Sequence, residues 1–104
     1  MEETRQQLIP ASLLMLTLTL SSGCHESAEH AVPHLIKQLD SDIASERNAA
    51  CHALASYGPE ARPATKALIK RLRDENIGIR SSAAYALRKI DSPEATAALD
   101  AYVD

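Results

Sequence analysis

Phenylalanine and tryptophan are absent from this chain, tyrosine occurs three times, and valine occurs only at Val32 and Val103. Without large rings, a core has to be assembled from Leu, Ile and Ala packed at short interhelical distance. Strands are excluded on similar grounds, because no run of β-branched or aromatic residues alternates with a period of two. Glycine is as scarce as tyrosine, and three residues in the whole chain leave no material for a Gly-rich phosphate cradle. Neither a Cys-x-x-Cys motif nor a Ser-His-Asp arrangement is present. At 104 residues the chain has the length of one domain, and its net charge of −3 is too small to indicate nucleic acid as a partner for the chain as a whole.

Long apolar runs are also missing. The longest such run, residues 8–20, carries no charge and contains Leu8, Ile9, Leu13, Leu14, Met15, Leu16, Leu18 and Leu20. Its 13 residues fall short of the roughly 20 that a membrane-spanning helix requires, and match the roughly 7 to 15 of an export signal. Ser21, Ser22 and Gly23 come next, and then Cys24. This order resembles bacterial lipoprotein signal peptides, whose lipobox sets small residues before a cysteine that is acylated and becomes the mature N-terminus. The resemblance implies a signal peptide over residues 1–23, a lipid on Cys24, a tether over residues 24–30, and a lipid-anchored place on the periplasmic or extracellular face of the cell envelope. Ser21 departs from the family, which most often has Leu there, and Glu2 and Glu3 offset the charge of Arg5. The other reading of residues 8–20 is a buried helix, with Cys24 in a linker.

Beyond Cys24 the chain repeats itself. A shift of 33 residues aligns Leu35, Ile36, Lys37, Leu39, Arg47, Ala50, Ala53 and Leu54 with Leu68, Ile69, Lys70, Leu72, Arg80, Ala83, Ala86 and Leu87. With one residue inserted, Pro59-Glu60-Ala61 recurs as Pro93-Glu94-Ala95, so a third unit begins. Apolar spacings of three and four predict two helices per unit. The first unit reads as a helix over 27–40 with Val32, Leu35, Ile36 and Leu39 inward, and one over 45–56 with Ala50, Ala53 and Leu54 inward. The second reads as a helix over 63–73 with Ala64, Leu68, Ile69 and Leu72 inward, and one over 79–90 with Ala83, Ala86, Leu87 and Ile90 inward. Gly58 and Pro59 end the first unit, and Ser92 with Pro93 starts a last helix carrying Ala95, Ala98, Leu99, Tyr102 and Val103. Cys51 aligns with Ala84, which marks it as a small core residue; acylation of Cys24 would leave it a free thiol.

The segment Gly58-Pro59-Glu60-Ala61-Arg62-Pro63-Ala64, with Leu68-Ile69 and then Arg80 to Leu87, resembles the bacterial HEAT-like repeats, also called phycobilisome-lyase HEAT-like. Asp40-Ser41-Asp42 and Asp74-Glu75-Asn76 match the family's acidic turns, and Arg47 and Arg80 its second-helix arginines. The resemblance covers residues 31–104 and implies an all-α fold, a short α-solenoid of about two and a half antiparallel helix pairs. It implies a non-catalytic module for protein–protein interaction or scaffolding, or else a helper subunit of a lyase or hydroxylase-type system. Deoxyhypusine hydroxylase resembles this fold and binds two irons through His-Glu pairs that come after the arginine. Here those places hold Asn48-Ala49 and Ser81-Ser82, which supply no imidazole–carboxylate set. The His25-Glu26 pair lies in the tether, where no scaffold fixes it. No cofactor is expected.

Two further features carry chemistry. His30 and His34, four apart, share a helix face and form a candidate metal pair, although two ligands alone make a weak site and the ordinary reading is solvated histidines. Charge is unevenly placed: residues 61–90 carry eight basic and two acidic side chains, whereas residues 24–60 carry two and six. Arg62, Lys66, Lys70 and Arg73 recur at four, four and three, forming a stripe on one helix face. Such a stripe is either a solvated surface or a binding face for an acidic protein or an anionic membrane. Nucleic acid suits it only if the chain is not exported. Leu99, Tyr102 and Val103 are expected to expose apolar surface that either a second copy would cover, giving a homodimer, or the next unit of a longer repeat array.

Overall fold

The computed structural model describes residues 27–103, to which the structural statements below are confined. Five α-helices and a 3-10 segment account for nearly all of them: α1 Ala28–Gln38, α2 Ala44–Tyr57, the 3-10 segment Gly58–Ala64, α3 Thr65–Arg71, α4 Ile77–Ile90 and α5 Pro93–Val103. There is no strand among the described residues. Helix α1 packs on α2 and α3 on α4, the broadest contact joins α2 to α4, and α5 lies against α4 and α3. This is the all-α stack of helix pairs that the 33-residue repeat predicts, with α5 opening a third unit. The stretch read as a signal peptide, Cys24 and His25-Glu26 lie outside the described residues, while α1 begins at Ala28, inside the stretch read as tether.

Helix ends obey local chemistry. The Asn76 side chain accepts from the amides of Gly78 and Ile79 at 2.8 and 3.2 Å, so α4 starts at Ile77, two residues ahead of the position that the apolar spacing marks. Ser92 Oγ accepts from the Ala95 amide at 3.1 Å with Pro93 as the first residue of α5. Helix α2 is held differently: Ser41 Oγ accepts from the Ile43 amide at 3.0 Å and donates to Glu46 at 2.6 Å. Gly58 and Asp91, 33 residues apart, close α2 and α4 with φ of 61° and 54°. Glycine adopts such a conformation without strain, and aspartate is among the few other residues that tolerate it.

The second unit departs from the sequence reading at its first helix. A single helix over 63–73 is predicted, whereas α3 begins at Thr65 and the 3-10 segment leads into it. Pro63 disfavours the α conformation at Arg62 and withholds an amide proton, which weakens an α-helix at this point without forbidding one, since α1 carries Pro33. Thr65 Oγ1 donates to the Arg62 carbonyl at 2.7 Å across the junction.

One core runs through the stack. Leu39, Leu54, Leu68, Ile79, Leu87 and Ile90 are its largest fully buried side chains, and Ala50, Ala61, Ala64, Ala83, Ala86 and Ala95 are buried between them. Those alanines let helices approach closely enough for a core without aromatic rings. Leu35, Ile36, Ala53 and Ile69, expected inward, are half-buried. For Leu35 and Ile36 the reason is position, since α1 is the outermost of the described helices and is covered on one side only. No described helix is long and apolar enough to cross a membrane.

Candidate functional site

The two units are joined by a buried charge cluster. Arg47, on α2, donates through Nε and Nη2 to Asp74 Oδ2 and Oδ1 at 2.9 and 3.1 Å, and through Nη1 to the Ser41 carbonyl at 2.8 Å. Arg71 Nη1, one turn before Asp74, adds a second cation at 2.9 Å, and the Asn76 amide donates to Asp74 Oδ1 at 2.9 Å. The Asp74 side chain is 1 % exposed and that of Arg47 8 %. Burial alone pushes the Asp74 carboxyl up, but hydrogen bonds from Arg47 and Asn76 and the charges of Arg47 and Arg71 outweigh it and hold the group below the usual carboxylate range. The same hydrogen bond raises Arg47 above its ordinary value against the effect of burial, so both partners stay charged. The cluster is structural: two cations share one buried carboxylate and reach the exposed carboxylates Glu75 and Asp40 at 3.9 and 3.8 Å.

A second polar cluster lies on the α2–α4 surface. Ser82 Oγ donates to Asn48 Oδ1 at 2.6 Å and lies 3.2 Å from His52 Nε2. The His52 ring sits 6.3 Å from that of Tyr85, over which the Lys89 ammonium stands at 5.5 Å. Asn48 and Ser82 occupy two of the places where the hydroxylase resemblance would put metal ligands, and here they bond to each other. Ser82 is buried with its proton held by an amide oxygen, an arrangement opposite to that of an activated nucleophile.

The basic stripe is on the surface, with Arg62, Lys66, Lys70 and Arg73 all exposed, but it does not follow one helix: only Lys66 and Lys70 lie on α3, while Arg62 is in the 3-10 segment and Arg73 follows the helix end. Its two ends differ. Lys70 and Arg73 border an open groove that also holds Asp40, Asp42 and Glu75, whereas Arg62 and Lys66 stand outside it. Arg71, in the same cationic run, turns inward to Asp74 and reaches Asp40 at 3.8 Å. His30 and His34 are both exposed on α1, and no group of three His, Cys, Asp or Glu suited to a metal ion occurs among the described residues. Cys51 is fully buried and unpaired, as its alignment with Ala84 predicts, and burial pushes its thiol up to about 11. It is a protonated core residue at neutral pH.

The Arg47–Asp74 contact escapes a reading of the sequence, although its signal is present. Asp74 aligns with Ser41 under the 33-residue shift, so the carboxylate appears in the second unit, where Arg47 of the first meets it. Both arginines also make the same bond within their own unit, Arg47 to the Ser41 carbonyl and Arg80 to the Asp74 carbonyl, at 2.8 and 2.6 Å.

Stacked antiparallel helix pairs, one shared core and a charge contact carried from one pair to the next define an α-solenoid, a class in which each unit is stabilised by its neighbours. Residues 32–104 match the family of HEAT repeats, and the chain belongs to that family. No curated protein and no solved structure matches it. HEAT repeats as a family serve protein interaction and scaffolding, through the extended surfaces that stacked units create.

Proposed function

We propose that this protein is a non-catalytic HEAT-repeat module that binds a protein partner at the cell envelope, tethered through a lipid on Cys24, with the exposed end of its basic stripe facing the anionic membrane surface. The observation that carries the non-catalytic reading is the Ser82–Asn48 hydrogen bond of 2.6 Å, which closes on each other two side chains placed where related folds hold metal. A lipid on Cys24 and a set of surface cations supply the two signals that stable membrane attachment requires. Arg62 and Lys66 are the stronger half of the stripe, because carboxylates surround Lys70 and Arg73.

Each cation close to an anionic bilayer contributes about 1 kcal/mol, so loss of two weakens binding about thirtyfold. Vesicles containing anionic lipid are expected to co-sediment the unlipidated Cys24→Ala chain, and Arg62→Glu with Lys66→Glu is expected to reduce that binding by at least this factor. Lys70→Glu with Arg73→Glu has the smaller effect. Equal binding by all three forms contradicts the assignment of the stripe.

A further inference from the structure

Grooves on the stack differ in the charge that lines them. Asp40, Asp42, Asp74 and Glu75 line the groove formed by the two acidic turns, and Asp91 and Asp100 line the one beside α5. A further groove, where the C-terminal halves of α2 and α4 meet the start of the 3-10 segment, is bordered by His52, Ser56, Tyr57, Pro59, Tyr85 and Lys89 and by no carboxylate. The lack extends along both helices: α4 has no acidic residue, and the single one in α2, Glu46, sits in its first turn and is bonded to Ser41. Lys89 is exposed and forms no ion pair among the described residues, and its ammonium stands 5.5 Å from the centre of the Tyr85 ring. Tyr85 is 42 % exposed and takes no part in the aliphatic core, yet two of the three tyrosines in the chain border this groove. The His52 ring, 6.3 Å from that of Tyr85, is anchored by its contact with buried Ser82 at 3.2 Å, so this side of the groove is set before anything binds.

We propose, building on the protein-binding function above, that this groove takes an acidic segment of the partner protein, with a carboxylate on Lys89 and the Tyr85 hydroxyl and the chain laid across the tyrosine ring. Charge complementarity selects the occupant. A carboxylate meets a free ammonium and hydroxyl donors here, whereas a basic segment would bring its cations against Lys89 with no carboxylate to pair them. Bilayers and nucleic acids are held by clusters of several cations, and this groove has one lysine set among tyrosines, a residue type that anchors protein interfaces. Arg62 and Lys66 lie outside the groove, so the two surfaces can be altered separately.

The test displays short random peptides on phage and selects them on the full chain carrying Cys24→Ala. Enriched clones are expected to be more acidic than the library. Tyr85→Ala is expected to weaken their binding about thirtyfold and Lys89→Glu about tenfold, whereas Arg62→Glu with Lys66→Glu leaves it within about twofold. A fresh selection on Lys89→Glu is expected to enrich basic clones instead, a reversal that a folding defect does not give. Clones no more acidic than the library, or binding insensitive to Tyr85 and Lys89, overturn the proposal. Loss with the Arg62 and Lys66 pair alone also overturns it, moving the acidic segment to the stripe while leaving the protein-binding function in place; enrichment of no clone counts against both. Release of anionic vesicles by Lys89→Glu as marked as that of the acidic clones would make lipid the occupant and overturn it as well.

Discussion

Asp74→Ala is expected to lower the unfolding free energy by about 3–5 kcal/mol in urea titration, the range seen when one partner of a buried ion pair is removed. The loss is large because one carboxylate serves three donors: Arg47, Arg71 and the Asn76 amide all depend on it. Stacks of this size have little in reserve, since the 77 described residues correspond to a total stability of about 4–12 kcal/mol. Glu75→Ala provides the contrast. That carboxylate lies 3.9 Å from Arg47 but is 89 % exposed, so its removal costs about 0.5 kcal/mol or less. Acid separates the charge of Asp74 from its shape. Its carboxyl titrates lower in the folded chain than in the unfolded one, so its contribution is complete above the unfolded value, near pH 4, and is lost as the pH falls through the folded value. Asp74→Asn, which keeps an acceptor for the Asn76 amide, is expected to remove that part of the acid dependence and to be destabilised at neutral pH. A variant whose stability below pH 4 falls as steeply as that of the parent contradicts this role.

Leu87→Ala is expected to cost about 2–5 kcal/mol, in the upper half of that range. Leu87 is fully buried on α4, the helix that touches α2, α3, α5 and the 3-10 segment. Many of its buried neighbours are alanines, whose side chains have no rotamers with which to fill the space left behind. Because α4 links both units, the substitution is expected to lower the urea midpoint of a single transition rather than to split it. Two resolved transitions, one per unit, would show that the helix pairs fold independently.

Much of the stack was legible because repetition doubles each signal. Leu39 and Leu68 are both buried, and the 33-residue shift sets each against another leucine, Leu72 and Leu35. Ser92 and Pro93 announced the start of α5 through side-chain chemistry that acts within three residues. The break before α3 was less visible: Pro59 and Pro63 read as punctuation around a helix start, yet the chain between them winds as 3-10 rather than leaving the helical path. The stripe of Arg62, Lys66, Lys70 and Arg73 was correctly placed on the surface, but its division into a free end and an end among carboxylates depends on Asp40 and Asp42 arriving from the first unit. The Asp74 cluster was hidden for the same reason. Its partners are 27 residues apart, and helical periodicity speaks only to neighbours within a turn or two.

The proposed binding at the envelope requires that the stack be exported and held. The intact mass of the mature chain recovered from the membrane fraction tests this most directly. A tethered module predicts a polypeptide that begins at Cys24 and is heavier than its sequence by a diacylglyceryl group, and an unmodified chain beginning at Met1 in the soluble fraction would contradict it.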